Sequence, residues 1–186
     1  MGAGDLSVTA SAALVGSKGM QAVINDTTTM YTLDDTPDAE PRYRARFYFD
    51  PNSVTMTDGN SHYIFIGYDA GAVFNLDFRF FGGRYQIRLR EQNDNQATQS
   101  TAWVTISDAP HFIEMEWRAA TAAGANNGSV TLWLDGVQAG TLTGLDNETR
   151  RIERVQLGAV SGVDAGTLGT YYLDAFVSRR LTYIGP

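Results

Sequence analysis

"VFNLDFRFFGGRYQIRLRE", residues 73–91, alternates in character at every second position. Phe74, Leu76, Phe78 and Phe80 fall on one side, with Asn75, Asp77 and Arg79 between them. A chain repeating at two residues is extended, with successive side chains on opposite faces. Gly82-Gly83 then supplies the positive φ angles of a tight hairpin turn. The pattern resumes with Tyr85, Ile87 and Leu89 inward and Gln86, Arg88 and Arg90 outward.

The same period runs through the chain. In "RYRARFYF" Tyr43, Ala45, Phe47 and Phe49 share a face, and Arg42, Arg44, Arg46 and Tyr48 share the other. "HYIFIGY", "AWVTIS", "HFIEMEWRA", "RIERVQLGAV" and "TYYLDAFVSRR" read as strands. "SVTLWLDGVQAGTL" reads as two strands around Asp135-Gly136. A helical turn capped by Asn147 fits 147–152, and no segment holds a helical period. The expectation is an all-β, antiparallel β-sandwich (a jelly roll) of two packed sheets, with roughly ten to twelve strands and little or no helix. Neither repeat nor linker divides the chain, so residues 1–186 read as one domain. The polar stretches 34–41 and 91–100 read as solvated loops.

Composition narrows the function. A net charge of −7 and a pI near 4.7 argue against nucleic acid, which requires a basic surface. No apolar run is long enough to insert in a bilayer. With zero cysteine there is neither thiolate catalysis nor a zinc–thiolate site. Thirteen of the fourteen basic residues are arginine, the residue suited to two-pronged carboxylate contacts and to stacking on aromatic rings. The opening "MGAGDLSVT" carries no secretion signal and reads as a domain cut from a longer chain.

"FIEMEWR", residues 112–118, raises the question of catalysis. Glu114 and Glu116 point the same way on a strand, roughly 6.6 to 7 Å apart along the backbone. Retaining glycosidases hold their two carboxyls about 5 to 5.5 Å apart. An arginine row facing these acids would pair with them and favour their charged form, the opposite of what a general acid needs. Arg42, Arg44 and Arg46 form one such row, and Arg88 and Arg90 another. His62 and His111 lie beside apolar strands. No G-x-S-x-G elbow, phosphate loop, H-E-x-x-H or twelve-residue calcium loop is present.

"VTLWLDGVQAGTL", "GTYYLDAFVSRRLTYIGP" and "ALVGSKGMQAVIND" together resemble laminin G-like and concanavalin A-like jelly rolls of bacterial secreted and surface proteins. The resemblance spans nearly the whole chain. It implies two packed sheets, one of them concave, and a structural calcium ion (Ca2+) held by the early hairpin and the last strand. Here those positions are Ser17, Lys18, Gly19 and Asp174. Glucanases of this fold carry Glu, Asp and Glu as E-x-D-x-x-E. Here the position three beyond Glu116 is Ala119, so the third acid is missing. Relatives also begin with an additional strand absent from this reading, which leaves a sheet edge open to a protein partner by strand addition.

The functional expectation is therefore a non-catalytic extracellular or cell-surface binding module of a larger bacterial protein, with a carbohydrate as its ligand. A structural or protein-interaction domain is the alternative, and a glycan-cleaving enzyme using Glu114 and Glu116 a third. Sugars stack on flat aromatic rings. By parity Trp117 faces the core, while Trp103 and Trp133 face out. With Tyr48, Arg44 and Arg46 they are the candidate ligand residues.

Overall fold

The computed structural model describes residues 5–185. Fourteen strands form two antiparallel sheets of seven, with no helix among the described residues. In spatial order the first sheet runs β1 (Leu6–Thr9), β2 (Gly19–Ile24), β14 (Gly169–Arg179), β4 (Arg42–Asp50), β10 (His111–Arg118), β11 (Gly128–Leu134), β12 (Val137–Leu145). The second runs β3 (Met30–Asp34), β13 (Arg154–Ser161), β5 (Ser61–Tyr68), β6 (Ala72–Phe81), β7 (Arg84–Gln92), β8 (Thr98–Ser100). β9 (Val104–Ile106) also pairs with β7.

The alternation read from the sequence sets what lies between the sheets. Tyr43, Ala45, Phe47 and Phe49 of β4 are fully buried, as are Ile113, Met115 and Trp117 of β10. They meet Phe65, Phe74 and Phe78 from the opposite sheet. Phe49 meets Phe78 edge-on at 5.0 Å between ring centroids, and Phe74 stacks on Trp117 at 6.5 Å. Each such ring removed from water stabilises the fold by roughly 1.5–3 kcal/mol before chain entropy is counted.

The two hairpins read from glycine are present. Gly82 and Gly83 have φ of 59° and 79°, and Asp135 and Gly136 have 50° and 82°. Paired positive φ values give the turn the twist that β-strands share. Three strands exceed the sequence reading. β1 forms the edge beside β2, and β3 and β8 border the second sheet. All three are five residues or shorter, too short for alternation to show. The expected helical turn at 147–152 is only a tight turn, in which Arg150 donates to the Asn147 carbonyl at 3.2 Å. The Asn147 side chain is buried and accepts from the Ala120 amide at 2.7 Å instead of capping a helix.

Candidate functional site

On the outer face of the first sheet, β10 lies directly beside β4, with Glu114 opposite Arg46, Glu116 opposite Arg44, and Arg118 opposite Arg42. The Arg44 fork grips both acids, Nη2 at 2.8 Å from Glu116 directly opposite and Nη1 at 3.1 Å from Glu114 on the diagonal. Glu116 also pairs with Arg42. Arg88 and Arg90 are not partners here, because they lie on the other sheet.

The chain after β14 then crosses this face. The amides of Ile184 and Gly185 each donate to one oxygen of Glu114 at 2.9 Å. Tyr183 tilts against Trp133 at 5.8 Å, and the Arg44 guanidinium lies 4.9 Å from the Trp133 ring. Glu114 is fully covered. A carboxylate that accepts from a guanidinium and two amides, with no access to solvent, has no place for a glycosidic oxygen. The pair is a charge ladder beneath a strap. Arg46 rests over Tyr48 at 5.3 Å and is the one arginine of this row without a carboxylate partner among the described residues.

The outer face of the second sheet is different. β6 and β7 place Asp77 opposite Arg88, Arg79 opposite Gln86, and Asn75 opposite Arg90. Trp103, just ahead of β9, lies across them, with the Arg79 and Arg88 guanidiniums 3.9 and 4.3 Å from its ring centre. Arg88 donates to Asp77 at 2.9 Å, and Arg90 stands 3.7 Å from the same carboxylate. Arg90 also donates to the Tyr63 hydroxyl at 2.8 Å. Asp77 is fully covered. Burial pushes its carboxyl above the usual range, against the bond from Arg88 and the charges of Arg90 and Arg88. Two guanidiniums, those of Arg88 and Arg90, thus share one acid on this surface, with a third, that of Arg79, bonded to Gln86 beside them. Beside them a hollow opens between Tyr63, Asn75, Arg90, Glu91 and Thr98.

The candidate ligand residues therefore divide between opposite sides of the sandwich. Trp103 belongs to the second sheet, while Trp133, Tyr48, Arg44 and Arg46 belong to the first. Arg79, Arg88, Arg90 and Tyr63, which accompany Trp103, were not singled out as binding residues. For the three arginines the only sequence signal is an outward position on the adjacent strands of one hairpin, and Tyr63 joins them from β5.

Asp174 sits where β14 bulges, with Ala175 at a φ of 49°. The bulge aims its carboxylate at the loop after β1. One oxygen accepts from the Leu14 and Val15 amides at 2.9 and 2.8 Å, and the other from Ala175 at 2.7 Å. Lys18 and Gly19 line the same hollow, and Ser17 is exposed. Three amide donors turned toward one carboxylate suit an anion anchoring a loop. A cation in that position would have to displace them, so the residues as arranged do not fit the expected ion. Elsewhere Asp94, Asp146 and Glu148 bring carboxylate oxygens within 4.8 Å of one another, with Asp94 taken up by the Thr149 amide and hydroxyl.

The fold and this face define a two-sheet antiparallel β-sandwich that displays an arginine–aromatic surface on one side and a strapped charge ladder on the other. No family profile matches the chain, and no curated protein matches it in sequence. Solved structures do. The cellulose-induced protein Cip1 superposes with a TM-score of 0.65 at 17% identity, over 97% of this chain and 87% of its own. The receptor-binding domain of botulinum neurotoxin mosaic serotype C/D gives 0.63 at 10% identity, over 95% of this chain and 42% of that one. The serotype D ligand-binding domain, in complex with N-acetylneuraminic acid, gives 0.51 at 11%, over 89% of this chain and 38% of that one. The chain thus spans less than half the length of the toxin domains that it matches. At these identities the likeness is one of fold.

Proposed function

We propose that this domain is a binding module for carbohydrate, and that its ligand is an acidic glycan held on the outer face of β5, β6, β7 and β9. The observation that carries the proposal is Trp103 lying against Arg79 and Arg88, beside Arg90 and Tyr63. A flat ring offers a stacking surface for a sugar, and a guanidinium fork matches a sugar carboxylate in two-pronged geometry. In a chain of net charge −7, Arg88 and Arg90 on one aspartate, with Arg79 bonded to the neutral Gln86 beside them, make a local excess of positive charge. One structural neighbour binding N-acetylneuraminic acid, itself a carboxylated sugar, supports the same reading. The laminin G-like and concanavalin A-like affiliation, and work outside the cell or at its surface as part of a larger protein, belong to the same proposal.

Calorimetric titration with sialylated and polyuronate oligosaccharides, beside neutral cello-oligosaccharides, tests it. The acidic sugars bind and the neutral ones bind more weakly. Trp103→Ala weakens binding at least about tenfold, as does Arg88→Ala. Absence of binding to every acidic oligosaccharide, or binding untouched by both substitutions, overturns the assignment.

A further inference from the structure

One end of the sandwich carries a hydrogen-bonded chain that the binding face does not use. Ser107, directly after β9, places its Oγ 2.8 Å from Nε2 of His111, the first residue of β10. Nδ1 of the same ring lies 2.7 Å from Oδ2 of Asp135, at the tip of the β11–β12 turn. The other oxygen of Asp135 accepts from the Phe112 amide at 3.0 Å, which fixes the carboxylate plane. The tautomer follows from the contacts. The backbone amide of Ser107 also points at Nε2, at 3.1 Å, and an amide can only donate. Nε2 is therefore the acceptor, Nδ1 carries the proton and gives it to Asp135, and the basic nitrogen faces the serine hydroxyl.

The surroundings suit a reacting group. Ser107 is exposed, on the wall of an open groove of about 470 Å³ lined also by Phe80, Arg84, Tyr85 and Ser53. The opposite wall is held in place. Asn52 and Ser53 are consecutive non-glycine residues with φ of 46° and 57°. Such a pair persists only where its surroundings impose it. Here Asp108 accepts from the Ser53 amide at 2.8 Å and the Ser53 hydroxyl at 2.6 Å. The amide after the nucleophile is a common oxyanion donor, and that of Asp108 donates to no acceptor among the described residues.

The geometry points to a hydrolytic site for short-chain carboxylic esters, with Ser107 as nucleophile, His111 as general base and Asp135 as the positioning residue. This goes beyond the glycan reading and does not depend on it. The Ser107 oxygen attacks the ester carbonyl carbon as His111 Nε2 takes the hydroxyl proton. The carbon–oxygen bond to the alcohol breaks, and the alcohol leaves with that proton. Water then attacks the acyl-serine, giving one proton to His111. The acid departs, and the proton returns to the Ser107 oxygen. The sum is ester plus water to acid plus alcohol.

The test uses a fluorophosphonate probe with mass spectrometry, beside hydrolysis of p-nitrophenyl acetate. Labelling falls on Ser107 and is lost in Ser107→Ala. It slows by about 10²–10⁴-fold in His111→Gln, and it also slows in Asp135→Asn, which leaves the hydroxyl in place. Ser107 and Asp135 are exposed and His111 is half-buried, and circular dichroism confirms that each variant is folded. Ester turnover falls in the same order. A polar staple that merely tied the β9–β10 turn to the hairpin would leave Ser107 inert. No adduct on Ser107 of the folded wild-type protein, or ester hydrolysis unchanged in Ser107→Ala, overturns the assignment.

Discussion

Removing the charge from Glu114 alone is the most direct probe of the strapped ladder. In Glu114→Gln the shape is kept, but one acceptor oxygen becomes an NH2 group. That group faces either the Arg44 guanidinium and the Ile184 amide, which share one oxygen, or the Gly185 amide on the other, all of them donors. Arg44, whose side chain is only 8% exposed, keeps Glu116 as its sole carboxylate. Breaking a buried ion pair from one side costs about 3–5 kcal/mol, because the remaining charge is left without its partner. In a domain of this size each kcal/mol moves the melting point by about 2–4 °C, so the expected fall is about 6–20 °C. Glu116→Gln is the control. Its second partner, Arg42, is 31% exposed, and the loss should stay near 2 kcal/mol, from at most roughly 1 kcal/mol for the surface pair and about 1.5 kcal/mol for the Arg44 contact. Urea denaturation at neutral pH measures both. Limited chymotrypsin digestion supplies a second reading, since loss of the two amide contacts frees Tyr183 for cleavage. Equal destabilisation by the two substitutions, or a Glu114→Gln loss below about 1 kcal/mol, refutes the claim that Glu114 anchors the strap.

Two buried groups make opposed pH predictions. Burial pushes Glu91 up to about 7, against the hydrogen bond from Asn147 and the charge of Arg150. A carboxyl raised in the folded state contributes stability at low pH and loses it as pH rises from about 4.5 to 7. Burial holds His62, stacked on Tyr171 at 5.9 Å, down to about 4. That imidazole loses stability as pH falls from about 6.5 to 4, so the two slopes offset between pH 5 and 6, each worth on the order of 3 kcal/mol across its full range. Glu91→Gln therefore steepens acid destabilisation and His62→Phe leaves stability falling toward neutral pH, as denaturation at a series of pH values would record. An unchanged profile in both variants contradicts the assignment. Asp174→Ala releases the Leu14 and Val15 amides and costs about 1–3 kcal/mol, equally with calcium and with a chelator. A wild-type melting point that rises with calcium, with the rise abolished in Asp174→Ala, would reinstate the ion at this position.

Alternation made the layers legible, because a period of two fixes which side chains are covered once two sheets meet. Tyr43 to Phe49 and Phe74 to Phe80 could be assigned to the interior from the sequence for this reason. It carries no information on which sheet a strand joins. Trp103 and Trp133 therefore looked alike as outward tryptophans, yet they lie on opposite faces. The ladder was legible as chemistry, glutamates and arginines at the same spacing, but not as geography. Arg44 and Glu116 are 72 residues apart, and Arg88 was an equally good partner on paper. The strap could not be read at all, because "LTYIGP" has no periodicity and its role rests on two backbone amides. The Ser107–His111–Asp135 chain left one faint signal. The Asp135-Gly136 turn was evident, but nothing in the sequence brought its tip to the start of β10.

The β4–β10 pairing has a consequence for how the chain finds its alignment. Shifting β10 by two positions along β4, so that Glu114 faces Tyr48, would still set Ile113, Met115 and Trp117 against apolar neighbours, since every second residue of both strands is greasy. Oil alone cannot distinguish the correct pairing from that neighbour. The misaligned pairing would, however, strand a negative group opposite Tyr48 beneath a closing lid of chain. The charges thus act as a checksum against a slip in that direction, on a seam that hydrophobicity leaves ambiguous.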